Sequence, residues 1–222
     1  MNPDLSGIKA VLFDYDGTLA DTNELICESW RFTVKTLADK TMTDDEIRST
    51  FGEVLSYSME RVMPGIDPEL GVSVYRKYQH DIYLDRIKLF PGTEEVLASL
   101  RESGYKTALV TSRLRSSTER GLKHFGIYDS FDVILTADDT DAVKPDPAPI
   151  YITLDKLGVR PEEAVFIGDT THDIEAGIAA GVFTILVDWS FALPVLKRDN
   201  CPPSGAVVKK MQDIPALLSN AL

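Results

Sequence analysis

Strand-like and helix-like patterns alternate along this chain, which implies an α/β fold: a doubly wound (Rossmann-like) parallel sheet core carrying an inserted all-helical unit. Three observations support it. Short apolar, β-like runs recur at Lys9–Phe13, Lys106–Val110, Asp132–Thr136, Ala164–Ile167 and Phe183–Val187. Segments with apolar residues at helical spacing lie between or after them, at Thr93–Ser103, Ser116–Phe125, Ala148–Leu157 and Asp173–Ala180. Gly104, Gly126, Gly158 and Gly181 then stand just past those helices, where a left-handed residue commonly ends a helix.

One interval breaks the rhythm. After Ala20 no strand signal returns until Leu89–Phe90, and the stretch between reads as helical at Asn23–Ala38, Asp44–Phe51, Leu55–Val62 and Pro68–Ile87. Asn23–Ala38 shows the pattern best, with Leu25, Ile26, Trp30, Val34 and Leu37 at helical spacing. Residues 21–86 are therefore expected to form the helical insertion, and residues 1–20 with 87–222 the α/β core. A Pro-rich turn at Asn200–Ser204 precedes a last short strand, Ala206–Val208, and a closing helix.

Composition narrows the function. The 222 residues carry 35 acids against 23 bases, a net charge of −12, which disfavours both a nucleic-acid backbone and an anionic membrane surface as partner. No apolar run approaches the roughly 20 residues that span a bilayer. Asp4, Asp14 and Asp16 flank or interrupt the one apolar stretch near the N-terminus, so no signal peptide is read there. Cys27 and Cys201 have no metal-type spacing and read as filler in a reduced, cytoplasmic protein. A monomer or weak homodimer is expected.

In open α/β sheets, ligands bind beyond the carboxyl ends of the strands. Asp14-Tyr15-Asp16-Gly17-Thr18 follows the first strand, and Thr111-Ser112-Arg113 the second. Lys144-Pro145-Asp146-Pro147 lies beyond the third, and Gly168-Asp169 with Asp173 follows the fourth. Four carboxylates in one crevice require a proton or a cation between them, and carboxylates with a carbonyl and water suit Mg²⁺. Lys144 adds a fixed positive charge. Asp14 can attack phosphorus, while Asp16, turned the other way, can protonate the leaving oxygen and then activate water. Gly17 and Thr18 can aim backbone N–H groups at the phosphoryl oxygens, and Thr111 or Ser112 can add a hydroxyl.

Together these residues resemble the haloacid dehalogenase superfamily across nearly the whole chain. Its four motifs stand as Asp14-Tyr15-Asp16-Gly17-Thr18-Leu19, Thr111-Ser112, Lys144, and Gly168-Asp169 with Asp173. The resemblance implies that the helical insertion is a cap. It implies Asp14 as nucleophile and Asp16 as acid/base. Mg²⁺ would be held by Asp14, the Asp16 carbonyl and Asp169, with Asp173 in support. Thr111, Ser112 and Lys144 would bind the phosphoryl group. Dehalogenases and phosphonatases lack the second aspartate, which is Asp16 here, and mutases carry a histidine where this chain has Ile26. The similarity therefore implies a phosphatase of a small phosphorylated metabolite, phosphoglycolate-like, with an inorganic pyrophosphatase as the alternative. A non-catalytic phosphate-sensing module remains the alternative outside enzymes, although such a module has no use for Asp16.

Residues around this centre read less sharply. Gly52 and Glu53 are either a cap contact to substrate or an ordinary turn. Arg113 either steers the anion or pairs with a surface acid. Trp189 either lines the entrance or packs, and packing is the expectation. His172 is expected to face solvent, Asp138–Asp141 to be a solvated loop, and Tyr75, Tyr78 and Tyr83 to pack within or beneath the cap.

Overall fold

A computed structural model describes residues 5–191 and 204–219. Cys201 and most of the Pro-rich turn at 200–204 lie outside the described residues. The elements run β1 (Ala10–Phe13), β2 (Ala20–Asp21), α1 (Asn23–Ala38), α2 (Asp44–Arg48), α3 (Leu55–Val62), α4 (Pro68–Arg86) and β3 (Lys88–Leu89). They continue with α5 (Thr93–Glu102), β4 (Lys106–Val110), α6 (Arg115–His124), β5 (Val133–Leu135), α7 (Ala148–Leu157), β6 (Ala164–Gly168) and α8 (Thr171–Ala180). The chain closes with β7 (Phe183–Val187), β8 (Ala206–Val208) and α9 (Asp213–Ser219). No helix among the described residues is long and apolar enough to cross a membrane.

Six strands form one parallel sheet in the order β5-β4-β1-β6-β7-β8. β1 lies inside it, with Ala10–Phe13 in register with Lys106–Leu109 on one side and Ala164–Ile167 on the other. All four β1 residues are buried, as a strand covered on both faces requires. Val11 and Phe13 join Val96, Leu97 and Leu100 of α5, Leu122 of α6 and Ile214 of α9 on one face. Ala10 and Leu12 point the other way, to Ile150 and Leu154 of α7 and Ala176 of α8. Each large apolar side chain removed from water contributes about 2 kcal/mol, so a one-residue slip of β1 would exchange both layers at once.

The insertion forms its own apolar centre. Cys27, Trp30 and Val34 of α1 meet Ile47 of α2, Met59 of α3, and Val72 and Tyr75 of α4. Trp30 and Tyr75 pack edge to face with centroids 5.4 Å apart. Gly71 brings α4 close to α3, because a Cβ there would stand 3.0 Å from the Met59 Sδ. Cys27 is a buried free thiol, in keeping with its reading as filler.

Two details differ from the expectation. β2 and β3 pair antiparallel, Ala20 with Leu89 and Asp21 with Lys88, and join the chain entering the helical unit to the chain leaving it. β3 starts one residue before the strand signal read at Leu89–Phe90, whereas β2, at two residues, has no periodicity to read. The helix expected to reach Phe51 ends at Arg48, because the Ser49 and Thr50 hydroxyls bond back to the Glu46 and Ile47 carbonyls and Gly52 turns the chain at φ +80°.

Candidate active site

The parallel ladder delivers its first acid directly: the Asp14 amide bonds to the Ile167 carbonyl at 2.9 Å, so its side chain stands at the carboxyl end of β1. The chain then turns tightly, with the Leu19 and Ala20 amides both on the Tyr15 carbonyl and the Gly17 amide on the Ala20 carbonyl. Gly17 has φ +76°, and a Cβ there would lie 2.2 Å from the Asp169 Oδ2. Glycine is therefore required twice, for the left-handed backbone and for the approach to Asp169. Gly17→Ala is expected to destabilise the protein by roughly 1–3 kcal/mol, read by chemical denaturation; wild-type stability would refute this account of the loop.

Lys144 reaches into the same place from the loop after β5. Its Nζ donates to Asp14 Oδ1 at 2.6 Å, to Asp173 Oδ1 at 2.6 Å and to the Val110 carbonyl at 3.2 Å. Asp173 also serves α8: its Oδ2 accepts from the Asp169 and Thr170 amides and the Thr170 hydroxyl, completing a capping box. Those bonds start the helix at Thr171, two residues before the position expected from sequence. Asp169 follows the last residue of β6, and its Oδ2 accepts from the Ser190 hydroxyl at 2.8 Å.

Electrostatics then asks for more positive charge than the chain supplies. Carboxylate oxygens of Asp14, Asp169 and Asp173 lie within 4.8 Å of one another. Burial is the main force raising the Asp14 carboxyl to about 7; Asp173 and Asp16 add to it, and Lys144 opposes it. Burial, Asp173 and Asp14 likewise raise Asp169 well above the carboxylate range. Burial would raise Asp173 too, but Lys144 and the Thr170 hydrogen bonds outweigh it and hold this acid low. Asp169 Oδ1 is buried with no hydrogen-bond partner among the described residues. A bare, buried carboxylate oxygen beside a second raised carboxyl fits a hard divalent cation.

A cavity of about 530 Å³ lies over this cluster, between the strand ends and the helical unit. Asp14, Asp16, Gly17, Thr111, Ser112, Arg113, Lys144, Asp169 and Asp173 all line it, and Gly52 and Glu53 line it from the helical side. Residues 11–187 match the haloacid dehalogenase-like hydrolase family. The chain belongs to that family and is a hydrolase. It is 38% identical to the pyrophosphatase PpaX of Halalkalibacterium halodurans, over 82% of this chain and 85% of that one. With the pyrophosphatase PpaX of Bacillus cereus it shares 34% identity over 96% and 97% of the two chains. Among solved structures, a candidate phosphoglycolate phosphatase from Lactobacillus plantarum superposes with a TM-score of 0.84 at 27% identity, covering 95% of this chain and 99% of that one.

Within this haloacid dehalogenase-like framework some expectations need correcting. Thr18 can meet a phosphoryl group only through its backbone N–H, because its side chain is fully buried outside the cavity lining and its hydroxyl has no hydrogen-bond partner among the described residues. Of the two readings for Arg113, pairing with an acid is seen, but that acid is Asp16 in the cavity. Its Nη2 lies 3.0 Å from Asp16 Oδ1 and its Nε 3.1 Å from Oδ2, with the guanidinium almost wholly buried. Burial disfavours that charge, but Asp16 outweighs it and holds the proton more firmly than an ordinary arginine does. His172 does not simply face solvent: its ring is half-buried in the cavity lining, and a Cβ on Gly52 would stand 2.4 Å from its Nδ1.

Glu53 lines the cavity, yet its carboxylate is already engaged by the Ser58 hydroxyl and by Arg61 at 2.7 Å. Asp138 and Asp139 are exposed but bonded: Asp138 accepts from the Arg115 amide, and Asp139 pairs with Arg115 and caps the Thr136 amide. Trp189 packs against the core, 5.7 Å from Phe90. Tyr75 and Tyr83 are buried and also line the cavity, while Tyr78 stacks on Phe32 and donates to Glu28. Arg76, Gln79 and Arg120 line the cavity too and were not singled out from sequence. For Arg76 and Gln79 the only signal was spacing, since they share one face of α4 with His80 and Tyr83, and Arg120, on α6, had none.

Proposed function

We propose that the protein is a phosphatase of small phosphorylated metabolites working through a phospho-Asp14 intermediate. One observation supports this above the others: Asp14 stands buried at the end of β1 against Lys144 and Asp169, with Asp16 two residues on and lining the same cavity. In this reading an Asp14 carboxylate oxygen forms a bond to phosphorus as the bond to the leaving oxygen breaks, and Asp16 gives that oxygen its proton. Asp16 then takes a proton from water, whose oxygen attacks phosphorus, releasing inorganic phosphate and restoring Asp14. Lys144, Thr111, Ser112 and the Gly17–Thr18 backbone hold the phosphoryl oxygens.

Mg²⁺ on Asp14, the Asp16 carbonyl and Asp169, supported by Asp173, would offset the charge of phosphoryl group and carboxylates when bound. The helical unit, residues 21–86, acts as the cap that excludes water, with Gly52 and Glu53 on its inner edge. A cytoplasmic location suits this chemistry.

The curated relatives favour a second reading, in which inorganic pyrophosphate is the substrate. A phosphate-release panel including pyrophosphate and 2-phosphoglycolate separates the two. We expect Mg²⁺-dependent release, lost with a chelator, and one kcat/KM that dominates. Release from none of the panel would overturn the phosphatase reading.

A further inference from the structure

Positive charge is distributed unevenly around the cavity. Lys144 is committed to the side of the transferring phosphoryl group, where its Nζ bonds to Asp14, Asp173 and the Val110 carbonyl. Arg113 is not. A guanidinium offers five N–H bonds; Nε and Nη2 of Arg113 hold Asp16, Nη1 reaches Gln79 Oε1 at 3.3 Å, and the rest remain available to the cavity. Its guanidinium lies 5.0 Å from the Tyr83 ring centroid, and that of Arg120 lies 5.7 Å from the same ring. Arg120 donates to the His80 carbonyl at 3.0 Å and makes no ion pair among the described residues. Arg76, one turn before Gln79 and His80, is exposed, and its side chain has no hydrogen bond or ion pair among the described residues. Arg76, Arg113 and Arg120 thus all line the cavity, and of the three only Arg113 is paired with a carboxylate among the described residues, that of Asp16.

We propose that Arg113, Arg120 and Arg76 form a subsite for an anionic group on the leaving-group side of the substrate, and that this anion takes Arg113 over from Asp16. The inference rests on the phosphatase reading and names the substrate class: phosphoryl donors whose leaving group carries its own carboxylate or phosphate. The reason lies in the Asp16 pair. Both carboxylate oxygens are within 3.3 Å of Arg113, so Asp16 must give up part of that pair to reach a leaving oxygen. With an uncharged leaving group the departure strands a buried guanidinium, which is costly. An anion on the leaving group replaces the lost partner, and Arg76 and Arg120 add charge that no carboxylate offsets. Selection therefore works against the wrong substrate as much as for the right one. Arg113 is a positioning residue for Asp16 and a specificity residue for the substrate.

The test compares 2-phosphoglycolate with ethyl phosphate, which differs by a methyl in place of the carboxylate, and adds inorganic pyrophosphate as the phosphate-bearing arm. In the wild type, the better of the two anionic substrates is expected to exceed ethyl phosphate in kcat/KM by about a hundredfold. Arg76→Gln, on an exposed helix face, should raise KM for that substrate about five- to tenfold, with a smaller change in kcat. Arg113→Gln should bring the preference within about tenfold, and Arg113→Lys should restore part of it. Equal kcat/KM for ethyl phosphate and the anionic substrates in the wild type overturns the inference and leaves the phosphatase reading standing. Variants that lower all substrates in the same proportion overturn it as well. No phosphate from any of the three removes the phosphatase reading and the inference with it.

Discussion

Asp14→Asn is expected to reduce phosphate release by at least about 10⁴-fold, because an amide oxygen neither attacks phosphorus nor holds it covalently. The fold should survive, since the substituted amide still presents an acceptor oxygen to Lys144, whose other partners, Asp173 and Val110, remain. In chelator the variant should even be the more stable protein near and above neutral pH. Burial raises the Asp14 carboxyl from 3.8 to about 7, so the folded state binds this proton more tightly than the unfolded chain does. The stability Asp14 contributes is then full below about pH 4 and is lost as pH rises through 7. The difference in melting temperature between Asp14→Asn and wild type should therefore be widest near pH 8 and shrink toward pH 4. Wild-type turnover by the variant would remove Asp14 as nucleophile, and a melting difference that widens on acidification would contradict its burial in charged form.

Lys144→Met should damage both stability and activity. Removing the ammonium leaves Asp14 and Asp173 buried without their cation, and breaking a buried pair in this way costs about 3–5 kcal/mol. In a chain of this size each kcal/mol lowers the melting temperature by roughly 2–4 °C. The loss should be largest above neutral pH and smaller in acid, where both carboxyls can take up protons instead. Added Mg²⁺ should recover part of the stability, since it offsets the same charges, but not the activity, which should remain down by about 10²-fold or more. A Lys144→Met protein that melts with the wild type at pH 8 would show that the pair with Asp14 and Asp173 carries no such weight.

Much of the centre was legible because its residues are tied to strand ends. A strand covered on both faces leaves a run such as Ala10–Phe13, and the residue after it, Asp14, has to emerge at the carboxyl edge. The same logic placed Thr111 and Asp169, and Lys144 followed from its order in the chain. The burial of the Thr18 side chain was not legible, because a motif fixes the backbone of a turn but not which side chains the turn encloses. β3 overlaps the signal read at Leu89–Phe90, but its two-residue partner β2 is too short to leave a pattern.

Local physics therefore determined, from sequence alone, the α/β class, the helical interruption and the order of the acids, since periodicity, glycine stops and strand-end positions all act over a few residues. Tertiary structure alone decided what those groups touch. Arg113 and Asp16 are 97 positions apart, and their pairing depends on how β4 lies beside β1. Gln79 and Arg76 come to the cavity only because α4 is laid across the strand ends, and His172 fits against Gly52 only because the first turn of α8 meets the distant loop after α2. A one-dimensional pattern records the period of an element but not the neighbour on its other side. The gathering of Arg76, Arg113 and Arg120 at the cavity is therefore a product of packing, and substrate choice is proposed to lie there.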